Sequence, residues 1–444
     1  MKMIQKPPKN VFDWKDSNKL MELMQLGRNP ILNRHYLHWD KLKHHKVDGH
    51  TAEDLWAAAK LHRMGSLKPI PLKDTYGEMF AFCVPELVAE LLHEIDMGAG
   101  ATIGIPEPIT NPQTKKQYLM RSMMEEAITS SQLEGAATTR EAAKEMIRSG
   151  RKPRDTDEQM IFNNYLTMQR ITKLKDESLS SKMIFDIHKL VTDKTLLDPT
   201  AAGRFRRADE KVVVGDDFGE VFHNPPPSDQ LEERQKEMCD FANGKTPGFF
   251  IHPIVRAIIL HFWLAYDHPF VDGNGRTARA IFYWSMLHHK YWLFEFISIS
   301  AILRKAPVKY GRSFLYTETD ENDLTYFIVA QAKVIQKAIK ELHDYINRKS
   351  LEMQELESEI RALNLFNHRQ VELIRHALKY PYDRYTIEGH RESHNVVYQT
   401  ARTDLLDLES RGVIEKKMMG RKMMFGVSKD LPARLRKLGK EFEK

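Results

Sequence analysis

The sequence predicts a mainly α chain: a helical core interrupted by one small β-hairpin, an N-terminal helical region, and a C-terminal module of three helices with a basic hairpin. Three observations lead there. Apolar residues recur at three- and four-residue steps along most of the chain. Val212, Val213 and Val214 run into Gly215, Asp216 and Asp217, a strand-and-turn signal inside helical territory. From Arg361 to Lys444 there are 18 basic and 11 acidic residues, a balance of +7, so the first 360 residues sit at −1 although the whole chain is +6.

Taken in order, Leu20, Leu23, Met24, Leu55, Ala58, Ala59 and Leu61 mark a mostly helical stretch over 12–97, in which Trp14, Trp39 and Trp56 read as core. Glycines and prolines over 98–114 read as a loop. Helices are expected over 118–135, 138–148, 157–175 and 181–192, and the hairpin falls within 203–223. Further helices are expected over 228–243, over 253–266, from Arg276, and over 322–349, with 348–361 an exposed linker helix. Beyond Asn364, helices over 367–379 and 386–393 precede a third whose buried face is Val397, Ala401, Leu405 and Leu408 and which stops at Gly412. Strands over 413–417 and 422–427 flank a turn at Met419 and Gly420. Three helices and a basic hairpin describe a winged helix-turn-helix. At 444 residues more than one domain is expected, and the pattern places them at 1–115, 116–349, 350–363 (linker) and 364–444.

Only Cys83 and Cys239 are present, without CxxC spacing, which argues against a disulfide framework or a cysteine zinc site and fits a reduced, cytoplasmic setting. Residues 1–10 lack an apolar run, and the richest apolar stretch, 254–266, is broken by Arg256 and His261, so neither a signal peptide nor a membrane span is expected.

The chemistry concentrates in His268-Pro269-Phe270-Val271-Asp272-Gly273-Asn274-Gly275-Arg276-Thr277-Ala278-Arg279. Glycines on both sides of Asn274 let backbone N–H groups face inward just before a helix, whose positive N-terminal end favours anions: a phosphate cradle. Arg276 and Arg279 share a helix face and suit the distal phosphates of a nucleotide. Asp272 offers a hard oxygen to Mg²⁺, and His268 is a base for an incoming hydroxyl. Phe270 reads as an anchor.

This segment resembles the signature of the Fic domain, HxFx(D/E)GNGRxxR, at every fixed position. Residues 252–270 are similar to the helix before that loop, and the GRFRR and VVVG runs within 203–215 to the target-positioning flap (Val212, Val213, Val214). The likeness covers about 118–349 and implies a Fic-type catalytic core that moves AMP from ATP, with Mg²⁺, onto a Ser, Thr or Tyr hydroxyl of a protein. By position it implies that His268 is the base and Asp272 the metal ligand. Gly273, Asn274 and Gly275 would hold the α- and β-phosphates, and Arg276 and Arg279 the β- and γ-phosphates.

Ser130-Ser131-Gln132-Leu133-Glu134-Gly135, by itself a helix ending in a glycine cap, matches the family's inhibitory pattern (S/T)xxxE(G/N). The resemblance implies that Glu134 pairs with Arg279 where the γ-phosphate must sit, with Ser130 on the same face. It also leaves room for Glu134 to orient a water that removes AMP.

Asn243-Gly244-Lys245-Thr246 ends like a P-loop but lacks its first glycine, and His390-Arg391-Glu392-Ser393-His394 is not a zinc helix. In the C-terminal module Gln399, Arg402 and Thr403, with Lys416, Lys417, Arg421 and Lys422 on the wing, are candidates for contacting DNA, while winged helices also dock proteins. The expected partners are therefore a target protein with a hydroxyl side chain, DNA or a protein at the C-terminal module, and a second copy in a homodimer. Two other readings stand beside the enzyme: a DNA-binding regulator that uses the core as a nucleotide-sensing switch, and a Fic enzyme with another phosphate-containing donor.

Overall fold

The computed structural model describes residues 4–9, 12, 16–99, 112–215, 219–362, 365–380, 383–419 and 422–442. The chain forms two compact units, one of residues 1–102 with 120–340 and one of 103–119 with 341–444.

The first unit is built around two helices that are buried on nearly all sides, Pro253–Asp267 and Asn274–His288. Ile254, Val255, Ile258, Phe262 and Trp263 on the former, and Ala278, Ile281, Tyr283, Trp284 and Met286 on the latter, are completely buried. A helix with apolar residues around most of its circumference lies in the centre of a fold. Helices Thr156–Leu174 and Ser181–Val191 pack on the second of the pair, and Leu231–Ala242 on the first. Pro253 opens its helix at the position where a missing N–H costs nothing. At the other end the buried carboxylate of Asp267 accepts from Arg234 Nε (2.9 Å) and from Trp263 Nε1 (3.0 Å).

In the N-terminal region Leu23, Leu42, Leu55, Trp39 and Trp56 form a core cluster, and Trp14 lies outside the described residues. Here the structure departs from the helical pattern expected over 12–97. Strands Lys68–Lys73 and Met79–Phe82 pair antiparallel, with Ile70, Leu72, Phe80 and Phe82 buried. Proline at 69 and 71 excludes a helix interior, and Ile70 and Leu72 alternate with a period of two. A buried polar network ties this region to the start of helix Thr325–Ala362. Lys60 Nζ donates to Asp320 (2.9 Å), Tyr326 OH donates to Asp320 (2.8 Å) and accepts from Arg63 (2.7 Å), and Tyr36 OH donates to Asp323 (2.6 Å).

The hairpin pairs Val214–Gly215 with Val221–His223. Val212 and Val213 precede the strand, Val213 being exposed, while Asp216 and Asp217 lie outside the described residues. His223 fixes the base of the hairpin: Nε2 meets the Tyr266 carbonyl (2.7 Å) and Nδ1 meets Glu318 (2.8 Å). Both partners are acceptors, so the ring is an imidazolium. Burial disfavours that charge, but Glu318 outweighs it and raises the pKa.

In the second unit, helices His368–Lys379, Ile387–His394 and Tyr398–Ser410 enclose Leu373, Ile374, Leu405 and Leu408 against a three-stranded sheet. Lys422–Val427 is the middle strand, between Arg384–Tyr385 and Ile414–Met419. Met419, expected in the turn, is instead the last residue of its strand and pairs with Lys422; Gly420, the other residue expected there, lies outside the described residues. A closing helix, Leu431–Phe442, was not foreseen. Among the described residues no helix is long and apolar enough to cross a membrane, and both cysteines are free and buried.

Lys60 and Asp320 are 7% and 2% exposed in their side chains, so removing one partner strands a buried charge. Lys60→Met should cost about 3 kcal/mol in urea denaturation, against no measurable change for Lys290→Met, whose pair with Asp176 is open to solvent.

Candidate functional site

His268 ends helix Pro253–Asp267 in a left-handed conformation (φ 45°, ψ 55°), which turns the chain sharply into the 268–273 loop. Nδ1 of His268 faces the Ala265 carbonyl at 3.2 Å. A carbonyl only accepts, so Nδ1 carries the proton and Nε2 keeps its lone pair in the neutral ring. Burial is the main reason that the pKa falls to about 4, and the neutral form is therefore the resting one at neutral pH.

Asn274 closes the loop. Its Oδ1 accepts from Phe270 N (2.9 Å) and its Nδ2 donates to Phe270 O (2.8 Å), so its side chain braces the loop rather than reaching outward. Gly273, with φ 81°, begins the helix without a side-chain cap. A Cβ on it would strike Thr192 Cγ2 at 2.7 Å, so glycine is required by space as well as by conformation.

Arg279 is buried and spoken for. Its Nε donates to Ser130 Oγ (2.8 Å), and its terminal nitrogen donates to Ser130 O (3.0 Å) and to Glu134 Oε1 (2.8 Å). The same carboxylate lies against Gly275, where a Cβ would collide with it. An anion thus already sits at the N-terminus of the motif helix, where the dipole favours it. Burial alone would raise the Glu134 pKa, but Arg279 and Arg276 hold it below the usual carboxylate value. Ser130 and Glu134 belong to one face of helix Pro112–Leu133 and its end, and so does Glu126. Glu126 accepts from Tyr283 OH (2.8 Å), Ser298 Oγ (2.7 Å) and Ser300 N (3.1 Å).

Arg276 takes a different course from Arg279. It is buried, donating to Val191 O (3.1 Å) and to Asp272 Oδ2 (3.4 Å), and among the described residues its Nε–H has no acceptor. Asp272 is the exposed member of that pair, with 56% of its side chain open.

Two further residues contribute to the site: His188 carried no motif signal, and Arg206 falls in the GRFRR run likened to the flap but was given no role of its own. His188 stacks on Phe270 with centroids 3.7 Å apart and touches the backbone of Asp272 and Gly203. Arg206 donates through Nε to His268 O (2.9 Å), and its own N–H donates to Pro269 O (2.9 Å). The one hint was position: His188 lies on the apolar face that Ile184, Ile187 and Val191 bury, where a polar group needs a partner.

In the second unit Gln399 and Thr403 are exposed and Arg402 is half-buried on helix Tyr398–Ser410, and Lys416 and Lys417 are exposed on their strand. The side chain of Lys422 and all of Arg421 lie outside what is described. His390 is a buried partner of Asp404 (3.2 Å), and among the described residues no group of three or more His, Cys, Asp or Glu could hold a metal ion.

Residues 178–286 match the model of the Fic/DOC family. The chain carries a Fic domain. Over 204 residues it is 28% identical to the protein adenylyltransferase Fic of Nematostella vectensis, which covers 45% of this chain and 44% of that one. It is 35% identical over 117 residues to the protein adenylyltransferase fic-1 of Caenorhabditis elegans, 26% of this chain and 21% of that one. The chain therefore spans less than half the length of these relatives. A Fic family protein from Desulfovibrio desulfuricans G20 shares the fold, with a TM-score of 0.51 over 77% of this chain and 96% of its own at 17% identity.

Asn274→Ala in the Fic loop leaves Phe270 N and O unpaired in the interior. It should lower stability by about 2 to 4 kcal/mol in urea denaturation, whereas Val271→Ala, at a half-buried position of the same loop, should cost under about 1.5 kcal/mol.

Proposed function

We propose that this chain is an autoinhibited protein adenylyltransferase that moves AMP from ATP to a Ser, Thr or Tyr hydroxyl of a target protein and of itself. The observation that carries the reading is the neutral His268, with Nδ1 spent on Ala265 and the Nε2 lone pair left for a proton. The hydroxyl gives its proton to Nε2, its oxygen bonds to the α-phosphorus, and the bond to pyrophosphate breaks. The N–H groups of the first turn after Gly273 and the two arginines offset the charge that builds on the phosphates. Asp272, a single exposed carboxylate, suits Mg²⁺, an ion commonly held by one or two carboxylates plus substrate phosphates. When bound, that ion would neutralise phosphate charge.

The contact of Glu134 with Arg279 supports the inhibited resting state, since a γ-phosphate would need the same guanidinium. Glu134→Gly should raise self-labelling from labelled ATP and Mg²⁺ at least tenfold, and His268→Ala in that background should abolish it. Mass spectrometry should find an added AMP; an added phosphate or phosphocholine would point to another donor. The rate should pass through 6.5 without inflection and fall only as the pH approaches about 4, where His268 takes up its proton. Equal labelling by the parent and Glu134→Gly would remove the brake from this account.

One observation favours a second role for the C-terminal unit. Val397 and Tyr398 are exposed at the start of helix Tyr398–Ser410, beside exposed Gln399, and Lys416 and Lys417 are exposed on the Ile414–Met419 strand of the same unit. We propose that this unit is a winged helix-turn-helix that contacts DNA. Replacing Lys416 and Lys417 with Ala should weaken binding to a DNA duplex and shallow its dependence on salt; unchanged retention would leave a protein partner.

A further inference from the structure

We propose that His188 is a positioning residue that aligns the phosphate cradle and the base His268 through one neutral imidazole. This rests on the adenylyltransferase reading above. The ring lies face to face with Phe270, centroids 3.7 Å apart and planes 9° off parallel, on the underside of the Fic loop. Gly203 N–H donates to Nδ1 at 2.9 Å. Nδ1 is therefore the unprotonated nitrogen, and Nε2–H donates to the carbonyl of Asp272 at 2.9 Å.

Each bond fixes a different part of the site. A trans peptide is planar, with C=O and N–H pointing to opposite sides. Holding the Asp272 carbonyl down on His188 therefore turns Gly273 N–H upward, where it lies 2.5 Å from Asp272 Oδ1. The same constraint sets the direction of Gly273 N–H, hence the seat of the Asp272 carboxylate that it holds, at the residue from which the cradle helix starts. The other bond anchors the turn at Gly203, which has φ 72° and leaves no room for a Cβ beside Lys189. Three residues on, Arg206 takes the carbonyl of His268 through Nε and that of Pro269 through its backbone N–H. Removal of the ring, which is wholly buried, would free both ends at once.

The test uses the full chain with Glu134→Gly, alone and with His188→Phe, His188→Asn or His188→Gln. Phe keeps the stack and loses both bonds, Asn can still accept from Gly203, and Gln can still donate to Asp272. His188→Phe should melt within a few degrees of its parent, exchange amide hydrogens faster over 203–206 and 268–276, and lose on the order of 100-fold in kcat with a smaller rise in the KM for ATP. Asn should loosen only 268–276, and Gln only 203–206. A purely structural histidine would lower the melting temperature and leave kcat per folded molecule unchanged, and that result overturns the proposal. Unaltered exchange in all three variants also overturns it. Should Phe fail to fold, the opposite exchange patterns of Asn and Gln decide. If the Glu134→Gly parent transfers no AMP, the adenylyltransferase reading fails by itself, and exchange together with ATP affinity by calorimetry still judges His188.

Discussion

A guanidinium that is 2% exposed needs acceptors, and the Fic core is arranged around that need at Arg279. Its helix is buried along nearly its whole length, so the charge cannot turn out to water, and the acceptors come from another element. Helix Pro112–Leu133 and the residue just past it supply them: a hydroxyl and a carbonyl from Ser130 and a carboxylate from Glu134. One turn along the same pair, Tyr283 and Glu126 repeat the arrangement without a full charge on both sides. Removing one partner of a buried pair is costly, whereas exchanging it for another anion need not be. A carboxylate held this way keeps its place only until a better-paired anion arrives.

Two histidines of the first unit show how burial sets chemistry. His223 meets acceptors at both nitrogens and is a cation, while His268 meets one carbonyl and stays neutral. The two rings lie close enough for the charge of the first to disfavour charge on the second, in the same direction as the desolvation that dominates. His223 and His268 are thus electrostatically linked.

Much of this was legible in the sequence, for reasons that differ from residue to residue. The loop 268–279 could be read because glycines, a base and arginines occur in fixed order, and the pairing of Glu134 with Arg279 because a resemblance supplied the partner. Helix positions followed from apolar spacing to within a few residues. The Lys68–Phe82 hairpin was hidden because two prolines mask a short alternation inside a helical neighbourhood. Arg276 illustrates a different limit: spacing puts it on one face with Arg279, but Val191 O and Asp272 decide where its guanidinium goes. His188 acts on a backbone carbonyl and an amide, and such contacts leave no pattern in side-chain types; Arg206 stands in the GRFRR run, but nothing in that run names its carbonyl partners.

The left-handed backbone at His268 sets stability against chemistry at one residue. A side chain in that conformation costs roughly 1 kcal/mol that glycine would not. Mutational drift toward a more stable fold therefore favours the one replacement that deletes the imidazole. A histidine at this position is therefore held there at a cost in stability.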